Sequence, residues 1–394
     1  MFKQYPPAPL PADGVAAALA PFGRSRMLPR EAYVDPAVFA WEQRHLFSGW
    51  TCVGYTADLG AVGAQKAVGA GPTGVLLVRG EDRVRAFANT CRHRGHELLP
   101  CAGTTRGRAI VCPYHAWSYR LDGTLRNAPG FGDAEHCSGG EFDAGEFGLT
   151  ELRLIDWHGW LFVDPSGEDA EFCDHVAGLE QIVGPYRPEE LVIVARHSYE
   201  LATNWKVIAE NYQECYHCAS IHPELTRISP PTSGANIDLP GSWMGGWMSI
   251  VDEAETMSLT GKSGGVAIEG LSDHERRSVM YLVGYPNLLV SLHPDYVMTH
   301  LMTPLAADRT HVECAWAFPK EVAAQPDFDP SYAVDFWDLT NRQDWAACES
   351  VQRGLSSPHA TPGPLAPDED GVYQFVTRVA RAYAGPAGHA PAPR

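Results

Sequence analysis

At 394 residues the chain exceeds a single small core, and its 45% hydrophobic and 20% charged composition suits a folded globular protein of two or three domains. Its formal net charge of −18 argues against a nucleic-acid or anionic-membrane surface and leaves a cationic substrate or a basic redox partner compatible. The opening MFKQYPPAPLPADG lacks a signal-peptide core and no apolar run is long enough to span a bilayer, so the expected location is the cytoplasm and the ten cysteines are expected as reduced thiols and metal ligands.

The first 14 residues, and the last ten from Gly385, are rich in Pro, Ala and Gly and read as flexible ends. From about Phe47 to Pro165, short apolar runs such as WTCVGY, GVLLVRG, AIVCPYH and LRLIDWHGWLFVD are broken by Gly, Asp and Pro, which predicts short antiparallel strands. The chain changes character over 169–186, where a helix is expected, and the strand LVIVARHSYELAT follows. Next comes NWKVIAENYQECYHCASI, free of Gly and Pro and apolar at helical spacing, then the strand-like MYLVGYPNLLVSL, YVMTHLMTPL and RTHVECAWAFPK. Long helices are predicted at Tyr332–Arg353 and Gly371–Tyr383. The expected class is α+β. An N-terminal extension (1–45) leads into an all-β domain (46–168), and a C-terminal domain (169–394) follows, an antiparallel sheet covered by helices.

Two paired hooks carry the first chemistry. Cys91-x-His93 is followed after eighteen residues by Cys112-x-x-His115. Two thiolates and two imidazoles in this arrangement suit a Rieske [2Fe–2S] centre, with one iron on sulfur and the other on nitrogen. A tetrahedral zinc site uses the same residue types, but zinc fingers keep Cys with Cys and His with His, whereas each hook here has one of each. Pro113, Tyr114 and Trp117 are placed to shield the second hook. Cys101 and His96 fall between the hooks and read as packing or surface residues.

CRHRG and CPYHAW resemble the Rieske domain of the ring-hydroxylating oxygenase superfamily. That family's usual pattern has Gly after the second histidine, where this chain has Ala116, and the spacer here is about one residue longer. The fold implied for the second domain is a helix-grip-like sheet.

His217 and His222 carry the second constellation. Five residues on a regular helix turn through about 500°, so the two imidazoles would diverge by about 140° unless the helix ends or loosens. Pro223 disfavours helix at His222 and supplies a break. Converging, the pair would form two corners of a 2-His-1-carboxylate site with open positions on Fe(II). A surface or core-filling pair is the alternative. The stretch Glu-Cys-Tyr-His-Cys-x₃-His-Pro resembles the mononuclear-iron motif of the same superfamily, which implies a third ligand from a late helix. NRQDWAACESVQRGL resembles that helix, with Asp344 as the match and Glu349 as the weaker candidate. Glu214 occupies a position where most members carry Asp, a carboxylate that links a cluster-ligating His of one subunit to an iron-ligating His of the next.

The resemblance implies an oxygenase that receives electrons from an NAD(P)H-dependent flavin/iron–sulfur reductase, uses O2, and assembles as a head-to-tail homotrimer. Glu at 214, with ENYQECYHC, SLHPDYVMTHLMTPL and SVQRGL, is similar to the branch acting on carnitine, choline and glycine betaine. This implies hydroxylation of an N-methyl carbon, with loss of formaldehyde. Trp243 and Trp247 are candidates to face the cation, and core packing is the other reading of both. An aromatic-ring hydroxylating oxygenase is the alternative function. A Rieske electron carrier or zinc-binding protein without oxygenase activity would leave the long second half unexplained.

Overall fold

The computed structural model describes residues 5–131 and 142–386. The chain forms two compact units. One is Gln43–Asp169, and the other joins Met1–Glu42 to Ala170–Arg394.

In the first unit a seven-stranded antiparallel sheet runs in the order Thr51–Tyr55, Trp160–Asp164, Glu151–Trp157, Val84–Ala88, Thr73–Arg79, Ala64–Ala70, Thr104–Arg106. The Glu151–Trp157 and Trp160–Asp164 strands are closed by the two-residue turn His158-Gly159, both at positive φ (50° and 84°), the twist that suits a tight hairpin. A second, three-stranded sheet pairs Ile110–Val111, Ser118–Tyr119 and Leu125–Asn127. Leu76, Val78, Phe87, Ile110, Trp117 and Tyr119 fill the space around Cys91 and Cys112 in a shared apolar cluster.

The other unit is built on a seven-stranded antiparallel sheet. Its order is Leu191–Leu201, Arg309–Pro319, Val297–Ala306, Leu288–Leu292, Ser278–Gly284, Trp243–Ser249, Gly234–Ile237. MYLVGYPNLLVSL is thus a hairpin and not one strand, turned at Tyr285-Pro286. The expected helix over 169–186 is broken into short pieces, Phe172–His175 and Glu180–Val183. Two long helices, Ser331–Leu355 and Asp370–Ala384, complete the unit. The first buries Val334, Trp337, Asn341, Trp345, Cys348 and Gln352, steps of three and four that put one stripe of the helix inward.

The N-terminal residues belong to this second unit through buried polar contacts. Lys206 and Glu42 are both 0% exposed and pair at 2.5 Å; the Trp205 indole and the Tyr383 hydroxyl also donate to Glu42. Burial pushes the Lys206 pKa down, against the pull of Glu42. The end expected to be flexible already contains the Ala12–Ala18 helix, and Ala8 N–H donates to the Tyr383 carbonyl at 2.9 Å. The remainder of that expectation, 1–4 and 387–394, lies outside the described residues. Among the described residues no helix is long and apolar enough to cross a membrane.

Candidate metal centres and the adjoining cavity

The two hooks fold as near twins. In each, the cysteine carbonyl accepts from a residue four positions on, Gly95 N–H at 3.0 Å and Ala116 N–H at 3.1 Å. In each, the cysteine N–H donates at 2.8 Å to the residue after that, His96 or Trp117. The closing residue must adopt positive φ: Gly95 sits at 72° and Ala116 at 59°. This explains a family preference for Gly at the second position and identifies Ala116 as a strained substitute. Cys91 and Cys112 are 2% exposed, whereas the His93 ring is half-buried and His115 exposed. The two rings approach to 4.7 Å, and His93 stacks on the Trp117 indole at 4.9 Å with a 7° tilt. The Tyr119 hydroxyl lies 3.2 Å from Cys91 Sγ and accepts from Arg92 N–H at 3.0 Å. Two buried sulfurs with two less buried imidazoles are a donor set that would hold a Rieske [2Fe–2S] cluster. Cys101 and His96 are exposed.

The second centre begins at a helix end. Asn204 caps the Trp205–Tyr212 helix by accepting from Lys206 N–H at 3.0 Å, and the helix stops at Tyr212, ahead of Glu214. The break therefore precedes His217 as well as following it. A single helical turn, Cys218–Ile221, separates the two histidines, and Pro223 opens the next helix, Pro223–Ile228, at the position where a missing N–H does no harm. Cys215 and Cys218 are joined as a disulfide with Cα atoms 4.8 Å apart, which corrects the expectation of reduced thiols throughout. The turn in which Cys218 N–H donates to the Cys215 carbonyl at 3.1 Å brings these two close.

His217, His222 and Asp344 offer donor atoms that all lie within 4.8 Å of one another. Asp344 Oδ1 is 2.9 Å from His222 Nε2 and 3.4 Å from His217 Nε2. The far nitrogens are held: His217 Nδ1 by Glu214 Oε1 at 2.5 Å, and His222 Nδ1 by Gln343 Oε1 at 2.7 Å. With each Nδ1–H donating outward, both Nε2 atoms point at the carboxylate, so loss of an Nε2 proton leaves the tautomer that metal-ligating histidines require. Glu214 also accepts from His217 N–H at 3.0 Å, which fixes the backbone under the ring. Burial opposes a charge on His217, yet Asp344 and Glu214 raise its pKa to about 9. Burial likewise tends to raise Asp344, and the two imidazoles outweigh it and hold the carboxyl below its ordinary value. A donor set that gathers positive charge this strongly fits a divalent metal.

These residues line a cavity of about 650 Å³. Tyr212, Tyr281 and Trp337 make an aromatic corner on it: Tyr212 and Tyr281 meet edge-to-face at 6.0 Å, and Tyr281 and Trp337 at 6.3 Å. Trp247 lines the cavity as well, with its ring edge-on to His274 at 4.8 Å. Trp243 is not on the cavity. It is 2% exposed and packs over Gly284, where a Cβ would come within 2.7 Å of the indole. That assignment is corrected: strand pairing sets Trp243 opposite Gly284, and the absent side chain makes room for the ring. Tyr212, Tyr281, Trp337 and Gln343 were missed from the sequence. Trp337 carried a usable signal, seven residues before Asp344 on one helix face.

Residues 188–385 match the ring hydroxylating alpha subunit (catalytic domain) family and residues 49–137 the Rieske [2Fe–2S] domain. The chain is 30% identical over 403 residues to the glycine betaine monooxygenase oxygenase subunit of Pseudomonas aeruginosa, covering 93% of this chain and 92% of that one. It is 36% identical over 206 residues to the carnitine monooxygenase oxygenase subunit of Escherichia coli, covering 50% and 52%. Among solved structures, the quaternary ammonium Rieske monooxygenase CntA superposes with a TM-score of 0.76 at 24% identity over 95% of this chain and 99% of that one. The fold of naphthalene 1,2-dioxygenase from Rhodococcus sp. is also similar, with a TM-score of 0.72 at 16% identity over 93% and 95%. The chain belongs to the ring-hydroxylating alpha-subunit family, oxygenases that join a Rieske [2Fe–2S] domain to a non-haem iron catalytic domain.

Proposed function

We propose that the chain is the oxygenase subunit of a monooxygenase that hydroxylates an N-methyl carbon of a quaternary ammonium compound. The observation that carries this reading is the aromatic corner of Tyr212, Tyr281 and Trp337 on the same cavity as His217, His222 and Asp344. Cys91, His93, Cys112 and His115 hold the cluster, and His217, His222 and Asp344 hold the iron. When bound, the two groups couple electrons from a reductant to insertion of one atom of O2 into a C–H bond, the other leaving as water. The N-hydroxymethyl ammonium product then loses formaldehyde and a proton and releases the tertiary amine.

The chain's own residues orient and select. Glu214 and Gln343 fix the imidazoles by accepting from their Nδ1–H groups. The Tyr119 hydroxyl donates to the Cys91 sulfur, because its oxygen already accepts from Arg92. The rings of Tyr212, Tyr281 and Trp337 attract a permanent cation with their π faces and offer its methyl groups apolar contact. Trp247 completes the wall. The electron donor is an NAD(P)H-dependent flavin/iron–sulfur reductase in the cytoplasm. The working assembly is a homotrimer, in which Glu214 would lie where one subunit's catalytic unit meets the cluster-bearing unit of the next.

The test supplies reductase, NADH and O2 with a panel of methylammonium compounds and arenes, and follows formaldehyde. Formaldehyde in step with amine loss is expected. Oxygen uptake with a hydroxylated arene and no formaldehyde would assign the chain to ring hydroxylation.

A further inference from the structure

The cavity contains a charge pattern that narrows the substrate beyond its methylammonium group. Among the described residues, no Lys or Arg lines it, while four carboxylates do: Glu214, Asp344, Asp368 and Asp370. Two of these are matched locally. Asp344 and Glu214 sit against the two imidazoles, and their two negative charges balance a divalent metal. Asp368 and Asp370 are left. Asp370 is half-buried and accepts from the neutral Asn236 amide at 2.6 Å, and Asp368 is exposed. The polar handle on the aromatic side is Tyr281, whose buried phenol oxygen has no hydrogen-bond partner among the described residues.

We infer that the site takes a net-cationic methylated ammonium compound whose remaining substituents are neutral, such as an amino alcohol, and discriminates against zwitterions that carry a carboxylate. A carboxylate brought into this cavity would leave water for a wall with no guanidinium or ammonium to receive it and two acids without a cationic partner on that wall to repel it. The neutral groups on the wall, the Tyr281 phenol and the side chains of Asn211, Gln213, Thr232 and Thr340, do not replace a cationic partner for a carboxylate, whereas they match an alcohol group well. The chain's net charge of −18 acts in the same direction at long range, raising the local concentration of cations. This inference rests on the quaternary ammonium reading and specifies which members of that class the site prefers.

The experiment is calorimetric titration of the iron-loaded, cluster-containing enzyme under anaerobic conditions with choline, tetramethylammonium, glycine betaine and L-carnitine. Choline and glycine betaine share a trimethylammonium head and differ in a hydroxymethyl against a carboxylate. Choline and tetramethylammonium should bind at least about tenfold more tightly than either zwitterion. Asp368→Lys should narrow the choline-to-betaine ratio severalfold, and Tyr281→Phe should weaken choline while sparing tetramethylammonium. Glycine betaine or carnitine binding as tightly as choline overturns the inference while leaving the quaternary ammonium reading intact. An enzyme that binds none of the four but binds naphthalene overturns both. Asp368→Lys with an unchanged ratio removes the electrostatic basis, and equal losses for choline and tetramethylammonium in Tyr281→Phe remove the hydroxyl handle.

Discussion

Replacing Glu42 by Gln tests whether the buried pair with Lys206 holds the catalytic unit together. The carboxylate accepts from three donors: the Lys206 ammonium, the Tyr383 hydroxyl and the Trp205 indole at 2.9 Å. A carboxamide keeps the shape but offers only one acceptor atom, so its NH2 must face a donor, and Lys206 is left as a buried charge with only the more distant Glu210 as an acidic neighbour. Removing one partner of such a pair costs about 3–5 kcal/mol, and the lower end applies because the amide oxygen can still accept from Lys206. The ammonium also retains the faces of Trp205 and Tyr33, at 5.0 Å and 5.6 Å. For a unit of roughly 270 residues, about 3 kcal/mol lowers Tm by about 6 °C. The assay is differential scanning calorimetry of the holoenzyme, following the transition of this unit separately from that of the cluster-bearing one. Burial already lowers the Lys206 pKa, so the deficit should narrow as the pH is raised and the ammonium gives up its proton. Glu42→Leu with Lys206→Met should recover most of the loss. A shift of less than about 2 °C in Glu42→Gln, independent of pH, would refute the reasoning.

Other consequences are equally concrete. Ala116→Gly relieves a positive φ at the second hook and should stabilise the cluster-bearing unit by about 0.5–1 kcal/mol, seen as a later thermal bleaching of the visible chromophore; an earlier one counts against strain at this residue. Burial raises the Glu210 pKa to about 8 from 4.5, so the folded state holds that proton more tightly than the unfolded chain. The associated stability is fully present below the unfolded value and is lost as the pH climbs through the folded one. Glu210→Gln should therefore flatten the urea midpoint between about pH 5 and 8, and an unaltered pH profile would show that Glu210 does not titrate there. Gln343→Leu removes the acceptor behind His222 Nδ1 and should weaken mononuclear iron retention about tenfold in a chelator competition, with cluster absorption unchanged; equal loss of both metals would point to misfolding.

The two hooks could be read from sequence because each closes within six residues, so spacing alone specifies their geometry. Asp344 was a different case. It reaches His222 across 122 positions of chain, and only the resemblance of its helix singled it out, since a lone Asp on a helix is ordinary. The aromatic corner needed more still. Tyr281 lies on a strand whose face is set by pairing with Gly246, and Tyr212 is the last residue of a helix whose end comes earlier than the uninterrupted apolar spacing suggests. Trp243 shows the same limit from the other side: its residue type suits a cation site, and its register against Gly284 makes it core. The charge pattern of the cavity was also invisible in the sequence, because Asp368 and Asp370 meet the iron motif only through the fold.

The membership of residues up to Glu42 in the same unit as Ala170–Arg394 has a consequence for how the protein is made. The Gln43–Asp169 stretch is an uninterrupted insertion and can complete its sheet as soon as it is synthesised. The surrounding unit has to wait. Glu42 finds Lys206 only after the insertion has emerged, and Tyr383 only when the final helix is nearly complete. Glu42 is thus buried only well after it has been synthesised. Cutting the chain at 169 would not release an independent catalytic domain, because the fragment would lack the carboxylate that its buried lysine requires.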